Sequence, residues 1–417
     1  MKIVLFEDRH YLDLLPLAYF RPVWELRCGA RTLQEKFEAQ LQERCYFLAR
    51  KYLCDFYLEN SRCFDALPAE EDILLVNGRW LAGTEETAAL QRLDPGAALL
   101  SGATLLAWRT GAGAVKHFIS EEGLDSRAIV ETDSISPESR REFPNARLIE
   151  YPWDALSRNG EEIVQDYRRL ADPGKIAGTV HQGAHVLGRD NVTIETGAVI
   201  KPGVVIDAER GPVWIDAGAL VMPNAVLEGP LYVGKQSRIK IGAKIYENTS
   251  IGPVCKIGGE VEECIVQGYS NKQHDGFLGH AYLGAWVNLG ADTNNSDLKN
   301  NYGVIQVLLN GKPVNTGKRF VGLMMGDHSK CAINTMFNTG TVVGASCNIF
   351  GAGMPPKFVP SFSWGGAEGM EVFDFDKAVE LAEIVFSRRN APFTERDRAL
   401  FRAVWTLAKR VEAGSLL

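Results

Sequence analysis

Eight aliphatic residues fall six apart without a break: Ile215, Val221, Leu227, Val233, Ile239, Ile245, Ile251 and Ile257. Four residues after each comes a mostly small side chain: Ala219, Ala225, Leu231, Ser237, Ala243, Thr249, Cys255 and Val261. Gly234, Gly252 and Gly258 directly follow three of the aliphatic positions. A period of six fits neither the helical 3.6 nor simple strand alternation. Three hexapeptides close a triangular coil in which the aliphatic residue points to the axis, the small one packs near a corner and glycines serve the turns. The expected fold is a left-handed parallel β-helix of about eight coils, about 40 Å long at strand spacing. A β-sandwich with coincidental spacing is a poor rival to eight consecutive matches.

The same phase continues upstream through Ile194, Ile200 and Ile206, and downstream through Leu283 and Leu289. It resumes at Met325, Cys331, Phe337, Val343 and Ile349, so the stretch 294–320 is expected to leave the prism as a loop. Before the repeat, short apolar runs at Lys2–Phe6 and Asp72–Val76 and a helical pattern over 32–42 imply a small α/β domain. A strand pair is expected around Ser101-Gly102 and a polar helix over 157–170. Asp172-Pro173-Gly174 marks a boundary. After Pro355-Pro356 come an aromatic loop and two helices, capped by Asp374 and by Thr394 with Asp397. The expected domains are 1–172, 173–354 and 355–417.

The net charge of −7 among 417 residues argues against nucleic acid or an anionic membrane as partner. No apolar run is long enough to span a bilayer. The first residues read as a strand, and the eight cysteines contain no C-x-x-C pair. A cytoplasmic setting is expected.

Chemistry concentrates in 268–302, GYSNKQHDGFLGHAYLGAWVNLGADTNNSDLKNNY. His274 lies in an Asp-Gly turn among Asn288, Asn294, Asn295, Asn300 and Asn301, with Tyr302 closing the stretch. Asparagines suit β-solenoid turns, but a sugar also needs donors and acceptors at fixed positions. His274 leads to Leu278-Gly279, and Asn288-Leu289-Gly290-Ala291-Asp292-Thr293 follows fourteen residues later. This arrangement resembles the C-terminal acetyltransferase domain of the bifunctional GlmU-type enzymes that make UDP-N-acetylglucosamine. The resemblance implies His274 as the general base that takes a proton from the amine of glucosamine 1-phosphate. It implies Asn288 as a sugar contact, with Phe277 where the family has tyrosine, and the Ala291 N–H beside the acyl group of acetyl-CoA. His280 is one hexapeptide out of register and is read as solvated or packed on the loop. The family's phosphate-binding basic residues are not matched, since Glu262 and Glu263 stand there; Lys244 and Lys272 are the replacements considered. The two faces of the tail helices carry no chemistry in this reading.

The N-terminal segment is similar to the sugar nucleotidyltransferases of the short NTP transferase 4 type. The similarity rests on Leu15-Pro16-Leu17, Arg21-Pro22, Glu25-Leu26-Arg27, Glu35-Lys36 and Tyr151-Pro152-Trp153-Asp154. The usual glycine-rich phosphate loop is absent, because no glycine lies between Phe6 and Leu15, and Asn77-Gly78-Arg79 replaces the usual metal-binding Asp. The resemblance leaves Arg21, Arg27, Lys36 and Asn77 as nucleotide contacts and Asp154 as a Mg²⁺ ligand. Three functions stay open: acetyl transfer coupled to uridylyl transfer from UTP, acyl transfer alone beside a degenerate first domain, and a non-catalytic scaffold. In each case a homotrimer is expected.

Overall fold

The hexapeptide columns close into a prism. In the computed structural model, which describes residues 1–57, 62–115, 119 and 135–413, three parallel sheets form its faces. One sheet has nine strands from Val192–Ile194 to Phe358–Val359. The second runs over six strands from Thr179–Val180 to Asn271–Lys272, and the third over six from His185–Leu187 to Phe277–Gly279. The eight aliphatic residues of the repeat are all 0–1% exposed and form the axial core, with Ala219, Ala225 and Ala243 packed among them. Val221, Ile239 and Ile257 stand in register one above another, eighteen residues apart.

Two coils break that period. Ile257 pairs with Lys272, fifteen residues on, and Asn271 bridges to Asn288, seventeen on. The polar stretch is therefore built on shortened coils. The prism also differs from expectation at two places. Asn294–Asn295 remains in it, pairing with Met336–Phe337, and the excursion carries a hairpin of Gln306–Leu309 and Lys312–Asn315. At the far end the aromatic stretch after Pro355-Pro356 is not a loop: Phe358–Val359 and Ser363–Gly366 continue the ladders. The nine-stranded face thus has one more coil than the eight expected.

The chain divides into two compact units. The first comprises Met1–Leu14, Phe20–Leu26 and Arg31–Tyr151, and the second Leu15–Tyr19, Arg27–Ala30 and Pro152–Leu417. In the first unit a six-stranded sheet has the order Tyr46–Leu48, Lys2–Phe6, Asp72–Asn77, Thr104–Gly111, Ala98–Ser101, Arg140–Glu142. Lys2–Phe6 is parallel to both neighbours, and Asp72–Asn77 is antiparallel to Thr104–Gly111. Val4, Phe6, Ile73, Leu75, Leu105 and Trp108 fill one core. The helix Leu33–Leu41 starts at Thr32, whose hydroxyl accepts from the Glu35 N–H in a capping box.

In the second unit the helices Phe375–Ser387 and Glu395–Glu412 fold back onto the prism. Both caps are formed as the sequence implies, by Asp374 and by Thr394 with Asp397. Phe386 stacks on Trp286 at 4.1 Å, and Trp286 stacks on Tyr269 at 4.4 Å. No helix among the described residues is long and apolar enough to cross a membrane.

The last helix is tied down by one acid. Glu412 accepts from the Ser361 N–H at 2.7 Å, the Ser361 hydroxyl at 2.6 Å and the Tyr19 hydroxyl at 3.0 Å. Burial pushes its carboxyl up to about 7, against the lowering effect of those hydrogen bonds. A folded value above the ordinary 4.5 means that the folded chain holds a proton the unfolded chain has released. That contribution is complete below about pH 4.5 and is lost as the pH rises through 7. Glu412→Gln should remove this component, which is worth at most roughly 3 kcal/mol. Denaturant unfolding across the window measures it, and identical pH profiles for the variant and the parent would rule the assignment out.

Candidate functional site

The seventeen-residue coil aligns the groups singled out in the sequence. Asn271 bridges in parallel to Asn288, and the Asp292 N–H donates to the Asp275 carbonyl at 3.1 Å. Ala291 therefore holds, one coil up, the position that His274 holds below it. His274 is exposed at this corner. Its turn is shaped by Gly276, at φ 111°, where an added Cβ would lie 2.2 Å from the Thr293 carbonyl oxygen. No other residue fits there without moving backbone.

Lys272 holds the same corner from within. It stands in the inward column above Ile257, is 1% exposed, and donates from Nζ to the carbonyls of His274 at 2.8 Å and Asp275 at 3.2 Å. Burial brings its ammonium down to about 8, although Asp275 opposes the shift. Its place is under the His274 turn and away from solvent, not at a substrate. Lys244 is exposed on another face and pairs with Glu260 at 3.1 Å.

Asn288 is half-buried, and its Oδ1 accepts from Asn271 Nδ2 at 3.1 Å. Asn271 Oδ1 in turn accepts from Arg389 Nη2 at 2.6 Å. Phe277 donates its N–H to Asn294 Oδ1, and Asn295 both accepts from and donates to the backbone of Gly279. These two asparagines serve the ladder. Asn300 and Asn301 line a cavity of about 470 Å³ with Lys299, Asn338, Thr339 and Met354, and Tyr302 beside them is 68% exposed. His274 and Asn288 are not in its wall. His280 packs on the excursion: Nδ1 lies 2.8 Å from Asp297 Oδ2, and the ring stacks on Phe320 at 5.0 Å.

The N-terminal candidates are not gathered in one unit. Arg21, Lys36 and Asn77 belong to the first, Arg27 and Asp154 to the second. Arg27 is 5% exposed, donates to the Ala30 carbonyl and lies over the Tyr232 ring at 5.6 Å. Arg21 and Lys36 are also buried, and Asp154 sits in the first turn of the helix Pro152–Leu170. Asn77 is fully buried, donating from Nδ2 to Asp8 Oδ2 at 2.8 Å and to the Leu105 carbonyl at 3.0 Å. Among the described residues no three or more His, Cys, Asp or Glu side chains gather as a metal site. Asp154 alone is too small a donor set to hold Mg²⁺ without the phosphates of a substrate.

Where a glycine loop would follow the first strand, two acid–arginine pairs stand instead. Glu7 takes Arg50 Nε and Nη2, both at 3.0 Å, and also accepts from the Val23 N–H at 3.0 Å. Both side chains are fully buried, and Arg50 lies over the Tyr11 ring at 4.2 Å. Asp8 takes Arg79 Nε at 2.8 Å. Burial raises the Asp8 carboxyl, but Arg79 and Asn77 more than offset this and hold it below the ordinary range. The sequence reading missed both pairs, because the arginines lie 43 and 71 residues beyond their acids. It missed Arg389 for the same reason, 118 residues from Asn271. Breaking a buried pair by removing one partner costs roughly 3–5 kcal/mol. Arg50→Met should lower the unfolding free energy of the first unit by about that amount, and Glu7→Leu with Arg50→Met should recover much of it. A loss under about 1 kcal/mol for the single variant would contradict the pairing.

Residues 3–173 match the family described as sugar nucleotidyl transferase. Over 201 residues the chain is 32% identical to a "Bifunctional protein GlmU" of Methanococcus maripaludis, covering 48% of this chain and 41% of that protein. It is 29% identical over 157 residues to a "Bifunctional sugar-1-phosphate nucleotidylyltransferase/acetyltransferase" of Sulfurisphaera tokodaii, covering 38% of this chain and 37% of that one. The chain thus spans less than half the length of these relatives. Among solved structures, a UDP-N-acetylglucosamine acyltransferase aligns over 46% of this chain and 70% of its own, at 16% identity and a TM-score of 0.25. In sequence the chain is GlmU-like, with a sugar nucleotidyl transferase segment at residues 3–173.

Proposed function

We propose that the chain is a transferase that acetylates an amino-sugar phosphate from acetyl-CoA and then transfers a uridylyl group from UTP, giving UDP-N-acetylglucosamine. The observation that carries the first half is the alignment of His274, Asn288 and Ala291 on two consecutive coils. The chemistry asks for that set. The amine of glucosamine 1-phosphate attacks the thioester carbonyl carbon, and the imidazole of His274 takes the amine's proton. The Ala291 N–H, one coil up, donates to the developing oxyanion, which collapses to expel CoA thiolate. Asn288 holds the sugar, and Phe277 is a second contact to it. Lys272 acts through the His274 turn, and Asn300, Asn301 and Tyr302 are assigned as further substrate contacts.

The second half rests on the match of residues 3–173. Within the first unit its assigned contacts are Arg21, Lys36 and Asn77. A second reading, acyl transfer alone, is favoured by one observation: Glu7 and Asp8 are committed to arginines where a phosphate-cradling loop is expected. UTP separates the two readings. A nucleotide-binding first domain gains melting temperature at millimolar UTP, by the stabilisation of any state that binds ligand. A degenerate one does not.

His274→Ala should lower kcat for CoA release by roughly 10²–10⁴-fold, the usual contribution of a positioned general base. The KM for acetyl-CoA should change little, because the proton moves only in the transition state. Asn288→Ala should chiefly raise the KM of the sugar. Full activity of His274→Ala, with loss in His280→Ala, would move the base one hexapeptide along. The active species should also be a homotrimer. An active monomer in light scattering would remove that part of the reading.

A further inference from the structure

The face of the prism below Asn288 is cationic. Successive rungs place Arg238, Lys256, Asn271 and Asn288 in one outward column. Each pair neighbours the next at strand spacing, so Arg238 lies about 14 Å from Asn288 along the prism. Lys240 follows Arg238 on the same coil. The tail brings Arg388 and Arg389 to this column, and Arg389 is fixed on it by its hydrogen bond to Asn271 at 2.6 Å. None of these five cations has an acidic partner among the described residues, in a chain whose net charge is −7. Elsewhere on the prism the exposed Lys244 is paired with Glu260. The crowding has a cost: burial lowers the Lys256 ammonium, and Arg389, Arg238, Lys240 and Arg388 all push the same way. Like charges held together without counter-charge raise the local concentration of anions.

We propose that Arg238, Lys256 and Arg389 form a binding site for the diphosphate of a diphosphate ester lying along the prism face toward Asn288. Two cationic rungs in succession, Lys256 and Arg238, offer charge to two phosphoryl groups in succession, where a single phosphate would use one. Arginine supplies the planar fork that phosphate oxygens accept from in pairs, and it comes from two separate elements, the ladder and the tail. The fixed Asn271 links this site to Asn288 by a continuous chain of hydrogen bonds. Two ligands carry this chemistry, coenzyme A and a nucleoside diphosphate sugar. The choice between them rests on the acetyl-transfer reading, but the diphosphate site itself does not.

The test is calorimetric titration of the full chain with inorganic pyrophosphate, CoA and UDP-N-acetylglucosamine in parallel. The Arg238→Ala/Lys256→Ala double variant should bind pyrophosphate about tenfold or more weakly than the parent, and added salt should weaken the parent the more steeply. Arg389→Ala, which leaves the ladder intact, should shift binding in the same direction. Lys175→Ala, an exposed lysine paired with Asp172, should change nothing. Weakening confined to CoA assigns the site to the acyl donor, and weakening confined to the UDP-sugar assigns it to the acceptor side; each supports the proposal. Binding of all three probes within twofold of the parent by both variants, at unchanged melting temperature, would overturn it, as would no binding of any probe to the parent. Loss of pyrophosphate binding in the variants of a chain that releases no CoA thiol would leave this site standing and remove the acetyl-transfer reading.

Discussion

Coil stacking in a parallel ladder fixes everything else in the second unit. Each strand of a coil exchanges hydrogen bonds with the coils on both sides, so a residue cannot leave its column without breaking pairs on both sides. Inward columns become a continuous aliphatic core, from Val192 to Val359. Outward columns become ordered lines of side chains at strand spacing. Asn271, Asn288 and Lys330 are neighbours for the same reason that Val221, Ile239 and Ile257 are. A fold of this kind makes a site by coil length. The fifteen- and seventeen-residue coils shift the corner that carries His274 and put a lysine, Lys272, in the column that holds Val221, Ile239 and Ile257 below it. That lysine is kept by the two carbonyls of the His274 turn, which it satisfies. The irregularity and the proposed site coincide.

The first unit follows a different logic. Its sheet puts the ends of Lys2–Phe6 and Asp72–Asn77 side by side, with residues 7, 8 and 77–79 at the mouth. In open α/β sheets such strand ends are where ligands bind. Here that ground is stabilised by Glu7 with Arg50 and Asp8 with Arg79. Gly78 passes so close to Trp24 that a Cβ would lie 2.5 Å from the ring. Any nucleotide chemistry in this unit must work around side chains already committed to one another.

The repeat was legible because its period is long and its positions are unambiguous: all eight aliphatic residues point inward. The strands, the helix capped by Thr32 and both tail caps could be read from local pattern for the same reason. Legibility failed where information is nonlocal. The stretch beginning at Asn294 reads as a loop because the six-residue step lapses there until Met325, yet Asn295 satisfies the backbone of Gly279 and stays in the ladder. The stretch after Pro355-Pro356 reads as a loop because of its prolines and glycines, yet it closes the prism. The tail helices show no chemistry in sequence because Arg389 acquires its meaning only beside Asn271. Among the basic residues near the N-terminus, sequence cannot distinguish a solvent-facing arginine from one such as Arg27, which is buried over Tyr232.

In the proposed function one chain carries two transfers, the first of them on the shortened coils. The direct measurement supplies acetyl-CoA with glucosamine 1-phosphate, then UTP with Mg²⁺, and follows free CoA thiol and pyrophosphate as separate signals. Thiol release is expected in the first stage and pyrophosphate in the second, with UDP-N-acetylglucosamine as the product. Thiol without pyrophosphate would contradict the second transfer, and no thiol from any amino-sugar phosphate would contradict the site built around His274.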